Sequence, residues 1–420
     1  MKCTADGNRI LSELEKLKTF DMSGPEQPGT TRMLFTDVEM EAREYVKSLM
    51  LEIGMSVDED AIGNIYGTLR GSDPELAPVW SGSHIDTVIN AGMYDGMFGV
   101  IGAIESCRYI SENDIPHKRS IQVIIYSSEE PTRFGMGCVG SRAMAGELPL
   151  EDTKNVFDDN GISLYDELER LGFTKKDYDK TVLKKKGDVF ASVEMHIEQA
   201  PVLEQKGIPI GIVEGICAPS YIQVCIEGEQ KHAGSTPMNV RRDAMTGAAE
   251  IILRLESLAR SYGNTHTVAT VGKLSVFPNA SNVIPGKVSF TIDIRDVDES
   301  VKTELTEKIC SYIDCICTMR GLIGSHEITT DDIPCYSDPA ISAVIEETCR
   351  ENNIPYNRMT SGAYHDSLLI SDFVPVAMIF VPSHNGISHD PAEFTELSDL
   401  VTGTEVLCGT LIKLSNLDSL

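Results

Sequence analysis

The chain is poor in cations: 36 Lys and Arg stand against 64 Asp and Glu, a formal net charge of -28. Nucleic acids and anionic membranes are held by clustered Lys and Arg, so this balance argues against both as partners. There is a single Trp, aromatic residues make up only 6% of the chain, and no apolar run reaches the about 18 residues that a membrane-crossing helix requires. The start, Met1-Lys2-Cys3-Thr4-Ala5-Asp6-Gly7-Asn8, lacks the apolar core of a secretory leader. The eleven cysteines form no Cys-x-x-Cys pair, and Cys225 and Cys310 lie in apolar runs. Free buried thiols in a reducing compartment, the cytoplasm, follow from that usage. A hydrophobic content of 41% supports a sizeable core, and 420 residues suit two domains rather than one.

Hydrophobic periodicity orders the chain. The stretch from Asn8 to Leu51 reads as helical, after which short apolar strands alternate with helices, the pattern of a mostly parallel sheet covered on both faces. Strands are predicted at Pro78 to Ser83, Ser120 to Tyr126, Val189 to Met195 and Pro375 to Val381, and a helix at Met97 to Ile110. Between about Ile212 and Ile333 the texture becomes two-faced, as in Tyr221 to Ile226 and Lys287 to Arg295, with amphipathic helices at Asp243 to Tyr262 and Asp298 to Met319. The order strand, helix, strand, strand, helix, strand describes a small α+β split-βαβ domain inserted in the larger α/β domain. The expected division is 1–212 and 333–420 for the larger domain and 213–332 for the insert.

Metal-type ligands follow four of the predicted strands, and in open α/β sheets the functional crevice lies at the carboxyl ends of the strands. His84 and Asp86 follow the first, with Asp95 in the same loop; Glu129 and Glu130 follow the second, His196 the third and His389 the last. Imidazoles with carboxylates suit Zn, Mn or Co. Two such ions roughly 3.5–4 Å apart can share a carboxylate and acidify a water. Asp95 is the expected bridge, with Asp86 orienting His84, Glu130 a ligand and Glu129, outside the coordination shell, the general base. Taken singly, an His-x-Asp triplet or a Glu-Glu pair is more often a surface accident; His117, His266 and His326 sit in polar connecting segments without partners, and His384 is read as non-functional with them. Joint placement after successive buried strands is what raises the first group above that background.

At these residues the chain resembles the M20 metallohydrolase superfamily, specifically the branch of N-carbamoyl-amino-acid hydrolases, β-ureidopropionases, allantoate amidohydrolases and ureidoglycolate amidohydrolases. The resemblance spans nearly the whole length. It implies a zinc-aminopeptidase-like catalytic domain with an inserted lid and dimerisation domain, and two divalent metal ions, manganese or zinc first, cobalt or nickel next. His84, Asp95, Glu130, His196 and His389 carry over as ligands and Glu129 as the base. Gln199, His232, Asn282, Arg295 and His365 carry over as substrate residues. Arg295 falls on a polar strand face where a guanidinium could clamp a carboxylate bidentately, and His232 could donate to a developing oxyanion. The resemblance further implies a homodimer in which His232, Asn282 and Arg295 complete the partner's site.

Peptidase relatives use a carboxylate where this chain has His196, followed by Glu198-Gln199, so hydrolysis of a small ureido acid to ammonia and carbon dioxide leads over an aminoacylase or dipeptidase. Ser128-Glu129-Glu130-Pro131-Thr132-Arg133-Phe134-Gly135 looks most like ureidoglycolate amidohydrolases, and His232-Ala233-Gly234-Ser235-Thr236-Pro237-Met238 more like allantoate amidohydrolases and carbamoylases. A non-catalytic metal-dependent binding protein would require a lost ligand or base, and the set is intact.

Overall fold

The computed structural model describes residues 3–24, 26–183 and 185–420. The chain divides into two compact units: Met1–Glu214 with Ser337–Met359 and His365–Leu420, and Gly215–Tyr336 with Thr360–Tyr364. The first unit is built on β1 (Ser56–Glu59), β2 (Ile65–Leu69), β3 (Val79–His84), β4 (Ile121–Tyr126), β5 (Ala191–Ile197), β6 (Ile210–Ile216) and β7 (Val376–Val381). They lie side by side in the order β1-β2-β4-β3-β5-β7-β6. The central four, β4, β3, β5 and β7, are mutually parallel, while β2 joins β4, and β6 joins β7, in antiparallel fashion.

Apolar and β-branched runs explain the parallel centre. Every residue of β3, β5 and β7 is buried, as a strand covered on both faces requires. Helices Met97–Glu112 and Leu397–Asn416 supply the covering layer: Phe98, Ile101, Ile104, Leu407 and Leu411 join Val79, Ile121, Val193, Met195 and Ile379 in one core. The helical run expected over Asn8 to Leu51 is two helices, Gly7–Lys18 and Asp37–Glu52. Proline and glycine at Pro28-Gly29 punctuate the stretch between them, and Thr36 caps the second helix by accepting from the Glu39 N–H.

The second unit has a four-stranded antiparallel sheet in the order Ile323–Asp331, Ala218–Glu227, Lys287–Asp296, Val268–Phe277. Along Lys287–Asp296 burial alternates strictly, with Val288, Phe290, Ile292 and Ile294 inward against Ile251 and Leu255 of one helix and Ile309, Ile313 and Ile316 of the other. Asp243 and Asp298 cap those helices, Ala244–Ser261 and Glu299–Arg320. The connectivity is the strand, helix, strand, strand, helix, strand order read from the sequence. A two-residue ribbon, Lys231–His232 with Val283–Ile284, was not legible because two residues carry no periodicity. Among the described residues no helix is long and apolar enough to cross a membrane.

One position in the parallel centre admits no side chain. Gly82 of β3 has φ +152°, and a Cβ there would lie 1.8 Å from the Ile124 carbonyl oxygen of β4. Gly82→Ala is therefore expected to lower the urea-unfolding free energy by at least about 3 kcal/mol, because the clash falls on backbone that cannot give way; a loss under about 1 kcal/mol would show that the two strands can part.

Candidate metal centre

The predicted ligands meet at the carboxyl ends of the four parallel strands. His84 is the last residue of β3, and His196 lies at the end of β5, paired in register with Phe380 of β7. Glu129 and Glu130 stand three and four residues beyond β4, while His389 comes from the loop after β7. Two groups of donors form: His84, Asp95 and His196 in one, and Asp95, Glu130 and His389 in the other, each with its ligand atoms within 4.8 Å of one another. Asp95 belongs to both. Its Oδ1 lies 3.5 Å from His84 Nε2 and 3.2 Å from His196 Nε2, and its Oδ2 lies 3.4 Å from His389 Nε2. Glu130 Oε1 is also 3.4 Å from His389 Nε2.

Local backbone geometry aims these groups. Ser128, Gln199 and His389, on loops after three different strands, adopt φ of +55°, +58° and +58°. Non-glycine residues rarely sit there, and such conformations persist where the surroundings over-determine them. The imidazoles are tautomerically set. His84 Nδ1 lies 3.0 Å from the Asp86 carbonyl and His196 Nδ1 lies 2.9 Å from the Ile197 carbonyl, so each Nδ1–H donates to backbone. That turns both Nε2 atoms toward Asp95, where they donate to its carboxylate when protonated and present lone pairs to a metal ion when not, the orientation of metal-ligating histidines. The Gly96 N–H lies 3.1 Å from His196 Nε2 and donates to that nitrogen when the ring is neutral.

Asp86 acts differently from expectation. Its backbone carbonyl, and not its carboxylate, holds His84; the carboxylate is 3.7 Å from that ring and accepts instead from the Glu129 N–H at 3.2 Å and the Glu130 N–H at 3.0 Å. It ties the β3 loop to the β4 loop, a job invisible in the His84-Ile85-Asp86 triplet because the donors come from more than 40 positions away.

The two neighbouring glutamates face different surroundings. Glu130 joins a donor group, whereas Glu129 Oε2 is 3.9 Å from His84 Nε2 and Glu129 Oε1 is 3.8 Å from the Cys138 thiol. Burial pushes the Glu129 carboxyl well above its usual range, against the pull of His84 and aided by Glu130. Burial and the Asp95 charge push Glu130 up to about 7. Asp95 is held well below the carboxylate range: burial alone would raise it, but His196, His389 and His84 surround it. Contact with Asp95 and the charge of Glu130 push His389 up to about 9. Carboxylates concentrated in a dry crevice thus favour cations strongly, whether protons or metal ions. Nitrogen and oxygen donors in two groups joined by one carboxylate fit divalent ions such as Zn, Mn or Co.

Among the expected substrate residues, Gln199 is at this centre, its Nε2 donating to Asp95 Oδ2 at 2.6 Å and to Ser388 Oγ at 3.3 Å. His365 is buried edge-on against the His196 ring, centroids 4.8 Å apart. His232, Asn282 and Arg295 belong to the second unit. His232 pairs with Val283, and the Ala233 N–H donates to the Asn282 carbonyl, so these two residues are neighbours. Arg295 sits at the other end of Lys287–Asp296, eight residues of extended strand from the ribbon end, roughly 27 Å along the strand. Strand register does not put Arg295 beside His232 and Asn282. Nor is Arg295 free for a bidentate clamp: Nε and Nη2 already grip Asp293, Nη2 also reaches Tyr221 Oη, and Nη1 donates to the Gly362 carbonyl, leaving one N–H.

Of the remaining histidines, His266 is paired with Asp296, His384 with Glu204 and His326 with Asp314, while His117 contacts the Ile115 carbonyl. Glu393 and Ser388 were missed. Glu393 accepts from the Tyr94 and Asp95 N–H groups, a role that a lone glutamate in a loop does not advertise.

Residues 80–413 match the profile of Peptidase family M20/M25/M40. The chain belongs to this family. It is 40% identical over 413 residues, 98% of this chain and 85% of the relative, to a ureidoglycolate hydrolase of Oryza sativa subsp. japonica. It is 38% identical over 411 residues, 98% of this chain and 99% of the relative, to an N-carbamoyl-L-amino-acid amidohydrolase of Pseudomonas sp. (strain NS671). A solved amidase of the hydantoinase/carbamoylase family from Burkholderia multivorans shares the fold with a TM-score of 0.90 and 30% identity, covering 98% of each chain. Family and donor set together make the chain a divalent-metal hydrolase.

Gly96 packs against the first donor group: a Cβ there would lie 2.4 Å from His84 Cε1 and Nε2, at a residue whose φ is +68°. Gly96→Ala is expected to displace the imidazole and weaken divalent-ion binding at least about tenfold, measured by calorimetry against wild type; unchanged affinity would separate His84 from the ion.

Proposed function

We propose that this chain is an amidohydrolase that cleaves the carbamoyl C–N bond of a small ureido acid, releasing ammonia and carbon dioxide, with ureidoglycolate first in line and allantoate and N-carbamoyl amino acids next. The observation that carries this reading is Asp95, shared between two histidine-carboxylate groups with Glu129 beside them but in neither. Two divalent ions, manganese or zinc, supply Lewis acidity and an acidified water when bound there. His84, Asp95 and His196 would hold one, and Asp95, Glu130 and His389 the other. Glu129 takes the proton of the attacking water and passes it to the departing nitrogen; burial, which raises its proton affinity, suits both halves of that task. Gln199 and His365 orient the substrate beside this centre.

The protein is proposed to work as a homodimer in which His232 and Asn282 reach the substrate bound in the partner subunit. His232 is exposed, its Nδ1 accepts from the Gly234 and Ser235 N–H groups, and its Nε2 is left to meet an oxyanion. Arg295 is proposed to meet a substrate carboxylate with the one N–H that its contacts to Asp293, Tyr221 and Gly362 leave. The cytoplasm is proposed as its compartment, a reading supported by eleven cysteines none of which forms a disulfide.

The decisive assay is ammonia release from ureidoglycolate, allantoate and N-carbamoyl amino acids beside cleavage of N-acyl amino acids and dipeptides. Turnover of the acylated substrates alone would replace this reading with an aminoacylase or dipeptidase. Glu129→Gln is expected to keep its metal content and lose about 10²–10⁴-fold in kcat, since the amide cannot take a proton; a kcat within threefold of wild type would remove Glu129 as base. Proton competition sets the pH dependence of metal binding. The His389 proton, held up to about 9, and the Glu130 proton, held up to about 7, must both leave when an ion enters. Mn²⁺ affinity should therefore rise from pH 6 to pH 8 with measurable proton release in calorimetry, and a flat profile would contradict these two residues as ligands.

A further inference from the structure

Glu393 belongs to neither donor group, yet it is 5% exposed and presses on both ends of Asp95. Its Oε1 accepts the Tyr94 N–H at 2.8 Å and the Asp95 N–H at 3.1 Å. On the other side, Ser388 Oγ lies 3.0 Å from Glu393 Oε2 and 2.7 Å from Asp95 Oδ2. One carboxylate thus holds the main chain of Asp95 directly and shares with its side chain the one proton of the Ser388 hydroxyl. The loop is shaped to admit it, since a Cβ on Gly92 would fall 2.4 Å from Glu393 Oε1. Another carboxylate buried beside Asp95 adds repulsion to an already acidic crevice, and the two backbone N–H groups it accepts offset that cost, while the single Ser388 proton serves Asp95 or Glu393 in turn.

We propose that Glu393 is the positioning residue for Asp95, fixing the shared carboxylate so that both ion positions form together. This rests on the two-ion reading above. The test is Mn²⁺ binding, by calorimetry and by metal content after dialysis, for wild type, Glu393→Ala, Glu393→Gln and Gly92→Ala, with melting of each followed in chelator. Wild type should hold two ions per chain. Glu393→Ala should bind at least about tenfold more weakly and retain fewer ions, the effect expected when an outer partner of a ligand is lost. Gly92→Ala, which pushes the carboxylate aside without removing it, should do the same and carries the test if Glu393→Ala does not fold. Glu393→Gln should stay within about threefold of wild type, because its amide oxygen still accepts both N–H groups and its NH₂ still meets Ser388.

Wild-type affinity and ion count in both Glu393→Ala and Gly92→Ala would overturn the proposal, as would a lowered melting temperature in chelator with affinity unchanged. Glu393→Gln as weak as Glu393→Ala would overturn it too, by showing that charge and not hydrogen bonding is at work. A wild type that binds no divalent ion would sink the two-ion reading itself, whereas a two-ion wild type with unaltered variants sinks only the role of Glu393.

Discussion

Asp95 sits where four parallel strands end, and its carboxylate faces three imidazoles at 3.2 to 3.5 Å. Burying that charge is unfavourable unless it is matched, and the surrounding architecture does the matching. His84 and His196 are turned by backbone carbonyls so that their free nitrogens point at it, and Gln199 and Ser388 donate to its Oδ2. Glu393 secures its peptide nitrogen. The loops that carry these groups follow β3, β5 and β7, so the parallel sheet is what makes their convergence possible.

The same crevice is over-supplied with carboxylates. Asp86 is spent on backbone N–H groups, Glu130 shares His389 with Asp95, and Glu129 stands apart next to His84. This division lets chemically identical side chains differ in proton affinity: Asp95 low, Glu130 near 7, Glu129 well above its usual range. A hydrolytic centre requires both kinds, a permanently ionised ligand and a carboxyl that exchanges protons near neutral pH.

The second unit obeys a different economy. Its sheet buries one face under two helices and leaves the other polar; Arg295 lies near the end of Lys287–Asp296, while His232 sits in the two-residue ribbon. Arg295 is largely committed to Asp293 and Tyr221.

Local periodicity was enough to read the parallel strands, the two-faced insert with its capped helices, and the residues His84, Asp95, Glu129, Glu130, His196 and His389, because burial on both faces and ligand-type residues after strands are recorded in the order of amino acids. What the sequence could not reveal depended on partners distant along the chain. Asp86 reaching the backbone of Glu129 and Glu130, Glu393 reaching back some three hundred positions to Asp95, Asp293 occupying Arg295, and the separation of His232 from Arg295 are outcomes of packing and strand register. A side chain's type fixes which bonds it can make, but only the folded backbone decides which donor or acceptor comes within reach.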